Sequence, residues 1–175
     1  MKKIYIVLTQ TGTLLSRVLK RLTGAKYNHV SIALDEEFNE MYSFGRINPY
    51  NPFWGGFVKE SPTSGTFKRF KNTDALVLCV DIDDEKFAYL SAFLKDIYFN
   101  RKKFHYNYGG VFFGCFHKVY AKQNRYYCSE FVKYSLVKSD IIHKDALPEI
   151  VQPIYFLDLF GENVCYEGKL KNYSL

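Results

Sequence analysis

The sequence predicts an α+β chain, and three stretches carry that prediction. Asn28 to Leu34 followed by Asn39 to Gly45 reads as a β-hairpin around a polar turn, and Ala75 to Ile82 is a near-continuous apolar run suited to a central strand. Cys128, Phe131, Val132, Ser135 and Leu136 recur at i, i+3, i+4, i+7 and i+8, so they share one helical face. With 175 residues, 47% hydrophobic, and neither linker nor internal repeat, the chain suits one domain spanning 1–175. Gly and Pro supply only 16 residues against 32 aromatics, which excludes disordered and collagen-like classes.

Taken in order, Lys3 to Gln10 is β-branched and aromatic and predicts a first strand. Leu15, Val18, Leu19 and Leu22 form a helical stripe that ends at Gly24, a suitable C′ residue. In the hairpin, Val30, Ile32 and Leu34 take one face and His29, Ser31 and Ala33 the other. A turn centred on Glu36-Glu37 makes paired residue numbers sum to 73, so that Ser31 faces Tyr42, Ala33 faces Glu40 and His29 faces Phe44. Ile47 to Gly65 is rich in Pro, Gly, Asn and Ser and reads as a long loop, with Pro49 to Phe57 expected to wall a substrate site.

Asp84 is placed to cap a helix bearing Phe87, Leu90, Leu94 and Ile97. Tyr106 to Tyr120 is expected to be helical in its second half. The Cys128 helix follows, with the cysteine at its start, then a short helix from Ile154 to Phe160 and a last strand from Asn163 to Leu170.

No apolar run approaches the roughly 18 to 20 residues that span a bilayer, so no transmembrane segment is expected. The apolar stretch Ile4 to Leu8 is shorter than the roughly 7 to 15 residues of a signal-peptide core. Cys79, Cys115, Cys128 and Cys165 form no CxxC pair and read as reduced thiols, so a cytoplasmic protein is expected. The formal charge of +6 hints at an anionic partner, but the basic residues are spread along the chain and a solvated surface is the expectation.

Cys128 is the candidate nucleophile because of its position. A free thiol titrates near 8.5, and lowering that to about 6 takes roughly 3.4 kcal/mol, whereas a helix N-terminus gives roughly 0.3 to 1 kcal/mol, up to about 2 when partly buried. A second positive group is needed, and His29, on a strand beside the small residues Ser31 and Ala33, is the imidazole to pair with it. A third group must hold the other ring nitrogen; Tyr42 has the better geometry and Glu40 the better chemistry. The bland alternative is a cysteine serving as a small core hydrophobe beside a structural histidine. His105, His117 and His143 show no zinc spacing, Gly109-Gly110 is no phosphate loop, and no nucleic-acid motif organises Lys118, Lys122 and Arg125.

Asn28-His29-Val30-Ser31-Ile32-Ala33-Leu34, then Asn39-Glu40-Met41-Tyr42-Ser43, and about a hundred residues after His29 the block Tyr126-Tyr127-Cys128-Ser129-Glu130-Phe131-Val132, together resemble the circularly permuted branch of the NlpC-type papain-like superfamily, which includes the YiiX-like hydrolases and the lecithin–retinol acyltransferase-like proteins. In that branch the histidine precedes the cysteine, as here. The resemblance implies a small, mostly antiparallel sheet packed against helices, Cys128 as nucleophile and His29 as general base. Its third position is usually a polar residue on the strand after the histidine, often His or Glu, and Tyr42 and Glu40 match it only in part.

The expected function is therefore that of a cysteine hydrolase (amidase, peptidase or esterase) or acyltransferase, with an acyl-enzyme on Cys128. Tyr127 and Ser129 are the candidate oxyanion or substrate contacts, beside backbone N–H groups at the helix start. No metal or organic cofactor is required. The expected partner is an amide- or ester-containing substrate, a peptide or an acyl lipid, with peripheral membrane contact and no nucleic acid. The alternative is a non-catalytic module that keeps the fold and binds an anionic lipid surface or nucleic acid.

Overall fold

The computed structural model describes residues 1–12, 21, 24–51, 53–114 and 118–173. Strands β1 (Lys2–Gln10), β2 (His29–Ala33), β3 (Met41–Arg46), β4 (Gly55–Glu60), β5 (Asp74–Ile82), β6 (His105–Tyr106), β7 (Arg125–Tyr126) and β8 (Val164–Lys169) build one sheet in the order β7-β6-β4-β3-β2-β1-β5-β8. Every neighbouring pair is antiparallel except β6 with β7. The described α-helices are α1 (Gly65–Arg69), α2 (Asp84–Phe99), α3 (Tyr108–Gly114), α4 (Cys128–Lys138) and α5 (Tyr155–Phe160). The class is α+β with a mostly antiparallel sheet, as expected.

The central strands bury both faces. Ile4, Ile6 and Leu8 of β1 join Val30, Ile32, Leu76 and Leu78 under Leu90 and Leu94 of α2, Phe131, Val132 and Leu136 of α4, and Phe156 of α5. On the other face Tyr5 and Val7 meet Ala33, Ala75 and Val77 beneath Phe67 of α1, Phe38 and Leu170. Two-sided burial explains why β1 and β5 read as nearly continuous apolar runs instead of strict alternations.

The hairpin register differs from the predicted one by one residue. Ile32 pairs with Tyr42 and Ala33 with Met41, so paired numbers sum to 74. The cause lies in the turn: the Asp35 carboxylate accepts the N–H groups of Asn39 at 2.8 Å and Glu40 at 2.5 Å, and Phe38 adopts a left-handed φ of 59°. A one-residue slip moves every β3 side chain to the opposite face relative to the prediction. Tyr42 therefore lies with Ile32, and Glu40 lies outside the strand.

The expected loop from Ile47 to Gly65 contains β4, and α1 begins at its end. Gly55 disguised this strand, yet the packing requires it: a Cβ there would lie 2.7 Å from the Tyr108 hydroxyl oxygen and 2.9 Å from Tyr106 Cβ. Among the described residues of Tyr106 to Tyr120 the helix lies in the first half, Tyr108–Gly114, and 118–120 are not helical, because the Asn107 carboxamide accepts the Gly110 N–H at 2.9 Å and starts α3 there. Asp83, not Asp84, holds the N-cap position of α2. Of the predicted helix over Leu15 to Leu22 only Arg21 is among the described residues, and it is helical; Gly24 has the left-handed φ of 70° that a C′ residue takes.

Cys79 of β5 and Cys165 of β8 form a disulfide, while Cys128 is free and Cys115 lies outside the described residues. This corrects the expectation of four reduced thiols and removes the cysteine argument for a reducing compartment. No helix among the described residues is long and apolar enough to cross a membrane. The bridge spans 86 residues of sequence and ties the edge strand β8 to the sheet. Reduction, or Cys165→Ser, is expected to lower unfolding free energy by about 2 to 4 kcal/mol, read as a lower denaturant midpoint with and without a reductant.

Candidate active site

Strand alternation gathers small and polar residues on one face of β2, β3 and β4. His29 and Ser31 alternate along β2, Ser43 and Gly45 along β3, and Val58 and Glu60 along β4, with Ser43 opposite Val58 and Gly45 opposite Gly56. The short side chains leave a slot that two large ones fill. His29 Nε2 lies 3.1 Å from both carboxylate oxygens of Glu60, and the Ser31 hydroxyl donates to Glu60 Oε2 at 2.5 Å. Gly45 is needed for this packing, since a Cβ there would stand 3.1 Å from Glu60 Oε1. Both partners are largely withdrawn from solvent, with 17% of the His29 and 10% of the Glu60 side-chain surface exposed.

Cys128 reaches this pair from α4. It is the first residue of the helix, it is buried, and its side chain stands close enough to the His29 imidazole to act on its titration. Phe131, one turn along α4, packs 5.1 Å from the rings of both Phe44 and Phe57 and seats the helix on β3 and β4. Polar contacts secure its start: the Glu130 carboxylate accepts the Tyr127 N–H at 3.2 Å and bonds to the Asn107 side chain. Asn107 in turn donates its own N–H to the Tyr126 carbonyl at 2.9 Å and its carboxamide N–H to the Tyr120 carbonyl at 2.8 Å.

The electrostatics of the slot favour charge separation. Burial pulls the His29 imidazolium toward the neutral form, but the negative charge of Glu60, the neighbouring Cys128 and the hydrogen bonds to Glu60 outweigh it and hold the ring well above its ordinary value. Burial likewise pushes the Glu60 carboxyl up, while the His29 charge and hydrogen bonds from His29 and Ser31 bring it below the usual carboxylate range. Burial raises the Tyr106 phenol well above its ordinary value, and the nearby Cys128 adds to the rise, so this phenol stays protonated.

A pocket of about 90 Å³ adjoins the thiol. Its walls include Tyr27, Tyr106, Tyr127, Cys128, Val151 and Pro153, mostly apolar surface with phenol groups at intervals. The Ser129 hydroxyl donates to the Val151 carbonyl at 2.8 Å, and Tyr127 also bonds to the Val151 backbone. Together they hold the segment 150–153 as one wall.

Of the predicted residues, the structure brings together Cys128 and His29. Tyr42 does not join them: it stacks on Phe57 at 5.8 Å and meets Tyr98 edge-on, and burial with nearby Glu40 pushes its phenol up to about 12. Glu40 is paired with Lys95 at 3.3 Å instead. Tyr127 lines the pocket, whereas the hydroxyl of Ser129 is committed to Val151. The loop from Pro49 to Phe57 does not contribute to the pocket wall: Phe57 is a core residue, and Phe53 and Trp54 point outward.

Glu60, Asn107 and Tyr106 were missed by sequence reasoning; the alternation Phe57-Val58-Lys59-Glu60 was the one signal that a carboxylate follows a strand pattern there. His105 is exposed in β6, His143 pairs with Asp145 at 3.3 Å on the surface, and His117 lies outside the described residues. Among the described residues no three His, Cys, Asp or Glu side chains gather as metal ligands. No family model, curated protein or solved structure matches the chain.

The two shifts set a pH window. His29, raised in the fold, adds stability that is complete below its ordinary value of 6.5 and vanishes as pH rises through its elevated folded value. Glu60, lowered in the fold, adds stability that is complete above 4.5 and vanishes as pH falls through its depressed folded value. Glu60→Gln is expected to cost about 3 kcal/mol. The wild-type advantage in urea unfolding should be largest between pH 4.5 and 6.5 and shrink on both sides.

Proposed function

We propose that the chain is a cysteine hydrolase or acyltransferase in which Cys128, His29 and Glu60 act as nucleophile, general acid–base and orienting carboxylate. The observation that carries this reading is one continuous buried network, thiol to imidazole to carboxylate, whose thiol end borders a pocket. An imidazolium stabilised by Glu60 supplies the second positive group that a helix N-terminus alone does not replace. The resemblance to the permuted NlpC-type branch supports it through the order of histidine before cysteine, with Glu60 on β4 taking the third position in place of Tyr42 or Glu40.

The reaction divides into two steps. His29 holds the Cys128 proton, and the thiolate sulfur bonds to the carbonyl carbon of an amide or ester. The resulting oxyanion is held by backbone N–H groups of the first turn of α4, which lack intrahelical partners, and by the protonated Tyr106 phenol. His29 then passes its proton to the departing nitrogen or oxygen as the carbon–heteroatom bond breaks and a thioester forms. Water or another acceptor gives its proton back to His29, attacks the thioester carbonyl, and releases the acyl group with a restored thiol. Glu60 keeps Nε2–H oriented throughout and stabilises the imidazolium. The apolar pocket favours a substrate with an apolar group beside the scissile carbonyl.

The test is alkylation and turnover on the same protein. Iodoacetamide should modify one cysteine much faster than an ordinary free thiol at neutral pH. Cys128→Ala should abolish that fast reaction, and His29→Ala should slow it. A chromogenic acetyl ester should leave an acetyl mass on Cys128. Its turnover should fall about 10² to 10⁴-fold in His29→Ala and at least tenfold in Glu60→Gln. Uniformly slow thiols and no acyl adduct would assign the fold to a non-catalytic module.

A further inference from the structure

Charge is segregated in a way that counting basic residues alone conceals. Residues 41–59, 61–73 and 97–129 carry eleven of the 24 Lys and Arg residues and none of the 18 Asp and Glu residues. The remainder of the chain therefore has more acidic than basic side chains. The fold brings these three segments together: β4 pairs with β3 and with β6, and the Arg69 guanidinium donates to the Pro49 carbonyl at 2.6 Å while lying 4.1 Å over the Tyr50 ring.

The same region displays large apolar side chains. Tyr50, Phe53 and Trp54 at the β3–β4 turn are 77%, 83% and 55% exposed, and Phe112 on α3 is 62% exposed. The surface between them is joined by contacts. Tyr108 bonds to the Gly55 backbone, Gly109 lies against the Tyr120 ring, and Phe113 lies 5.2 Å from Tyr120 and 5.5 Å from Phe112. Lys122 stands 5.2 Å over Tyr120.

Exposed Phe, Tyr and Trp drawn from segments that carry Lys and Arg but no Asp or Glu, with Arg69 over Tyr50 and Lys122 over Tyr120, complement an anionic bilayer surface. Phe enters the acyl boundary, Trp and Tyr sit at headgroup level, and the cations meet lipid phosphates. We infer that this aromatic and basic face docks the protein peripherally on a membrane containing anionic lipid, with Phe53, Trp54 and Phe112 as the inserted anchors. Phe is the wrong choice for solvent and offers nothing to a hydrogen-bonding partner, and its place at a protruding turn suits a yielding planar target more than a groove-bound strand. Helix α3 links this face to the pocket, since Gly110, Val111 and Gly114 line the pocket while Phe112 points outward.

Trp54 is the only tryptophan in the chain, so its emission reports on the proposed anchor directly. The wild-type protein is titrated with vesicles of phosphatidylcholine alone and of phosphatidylcholine with one third phosphatidylglycerol. The expected result is a blue shift and quenching by bromolipid on the anionic vesicles, with partitioning at least about tenfold tighter than on the neutral ones and weakened by salt. Phe53→Ser with Phe112→Ser should weaken partitioning about tenfold without changing thermal unfolding, because both sites are exposed. Cys128→Ser should bind vesicles like the wild type, which separates this test from the thiol chemistry. Unchanged Trp54 emission on anionic vesicles, or equal partitioning to both compositions, overturns the inference. Quenching by single-stranded oligothymidylate without a vesicle response also overturns it, by assigning the face to nucleic acid.

Discussion

The buried ion pair between His29 and Glu60 is the interaction on which the arrangement of the site depends. Two charged groups removed from water are costly unless each satisfies the other, and here the imidazole, the carboxylate and the Ser31 hydroxyl do so in a slot made by Ser31, Ser43 and Gly45. The slot exists because three adjacent strands present their smallest side chains on the same face. The pair then turns a neutral imidazole into a cation at the tip of α4, where a helix N-terminus alone would stabilise a thiolate too weakly.

Around that pair the fold divides its labour by face. One face of the sheet carries α2, α4 and α5 and supplies most of the apolar core; the other holds the polar slot and a smaller core closed by α1 and the C-terminal residues. Phe131 links the core to the candidate site, since its packing on Phe44 and Phe57 seats the helix that begins with Cys128. Asn107 and Glu130 complete it from the polar side, tying α3, β7 and the start of α4 into one set of hydrogen bonds.

Much of this was legible in the sequence where a single periodicity governed a segment. The strands β1 and β5, the helices α4 and α5 and the edge strand β8 lie where their patterns place them. Residues whose position depends on tertiary context were not legible. The hairpin register turned on one Asp35 side chain capping two N–H groups, which moved Tyr42 away from His29. The strand carrying Glu60 was hidden by Gly55-Gly56, which read as loop residues although their lack of side chains serves close approach to Tyr106, Tyr108 and Ile47. Cys79 and Cys165 are 86 residues apart, and no local pattern announces that β5 and β8 are neighbours. The basic face escaped notice for a related reason: its signature is the absence of carboxylates from three separate segments.

The charge state of His29 tests the central claim most directly. Its ring nitrogens, followed by ¹⁵N–¹H long-range correlation spectra across a pH titration, should both stay protonated well above 6.5 in the wild type, and titration should fall back toward that value in Glu60→Gln. A ring that loses its proton at or below 6.5 in the wild type, or that titrates identically in the variant, would contradict the proposed coupling of carboxylate, imidazole and thiol.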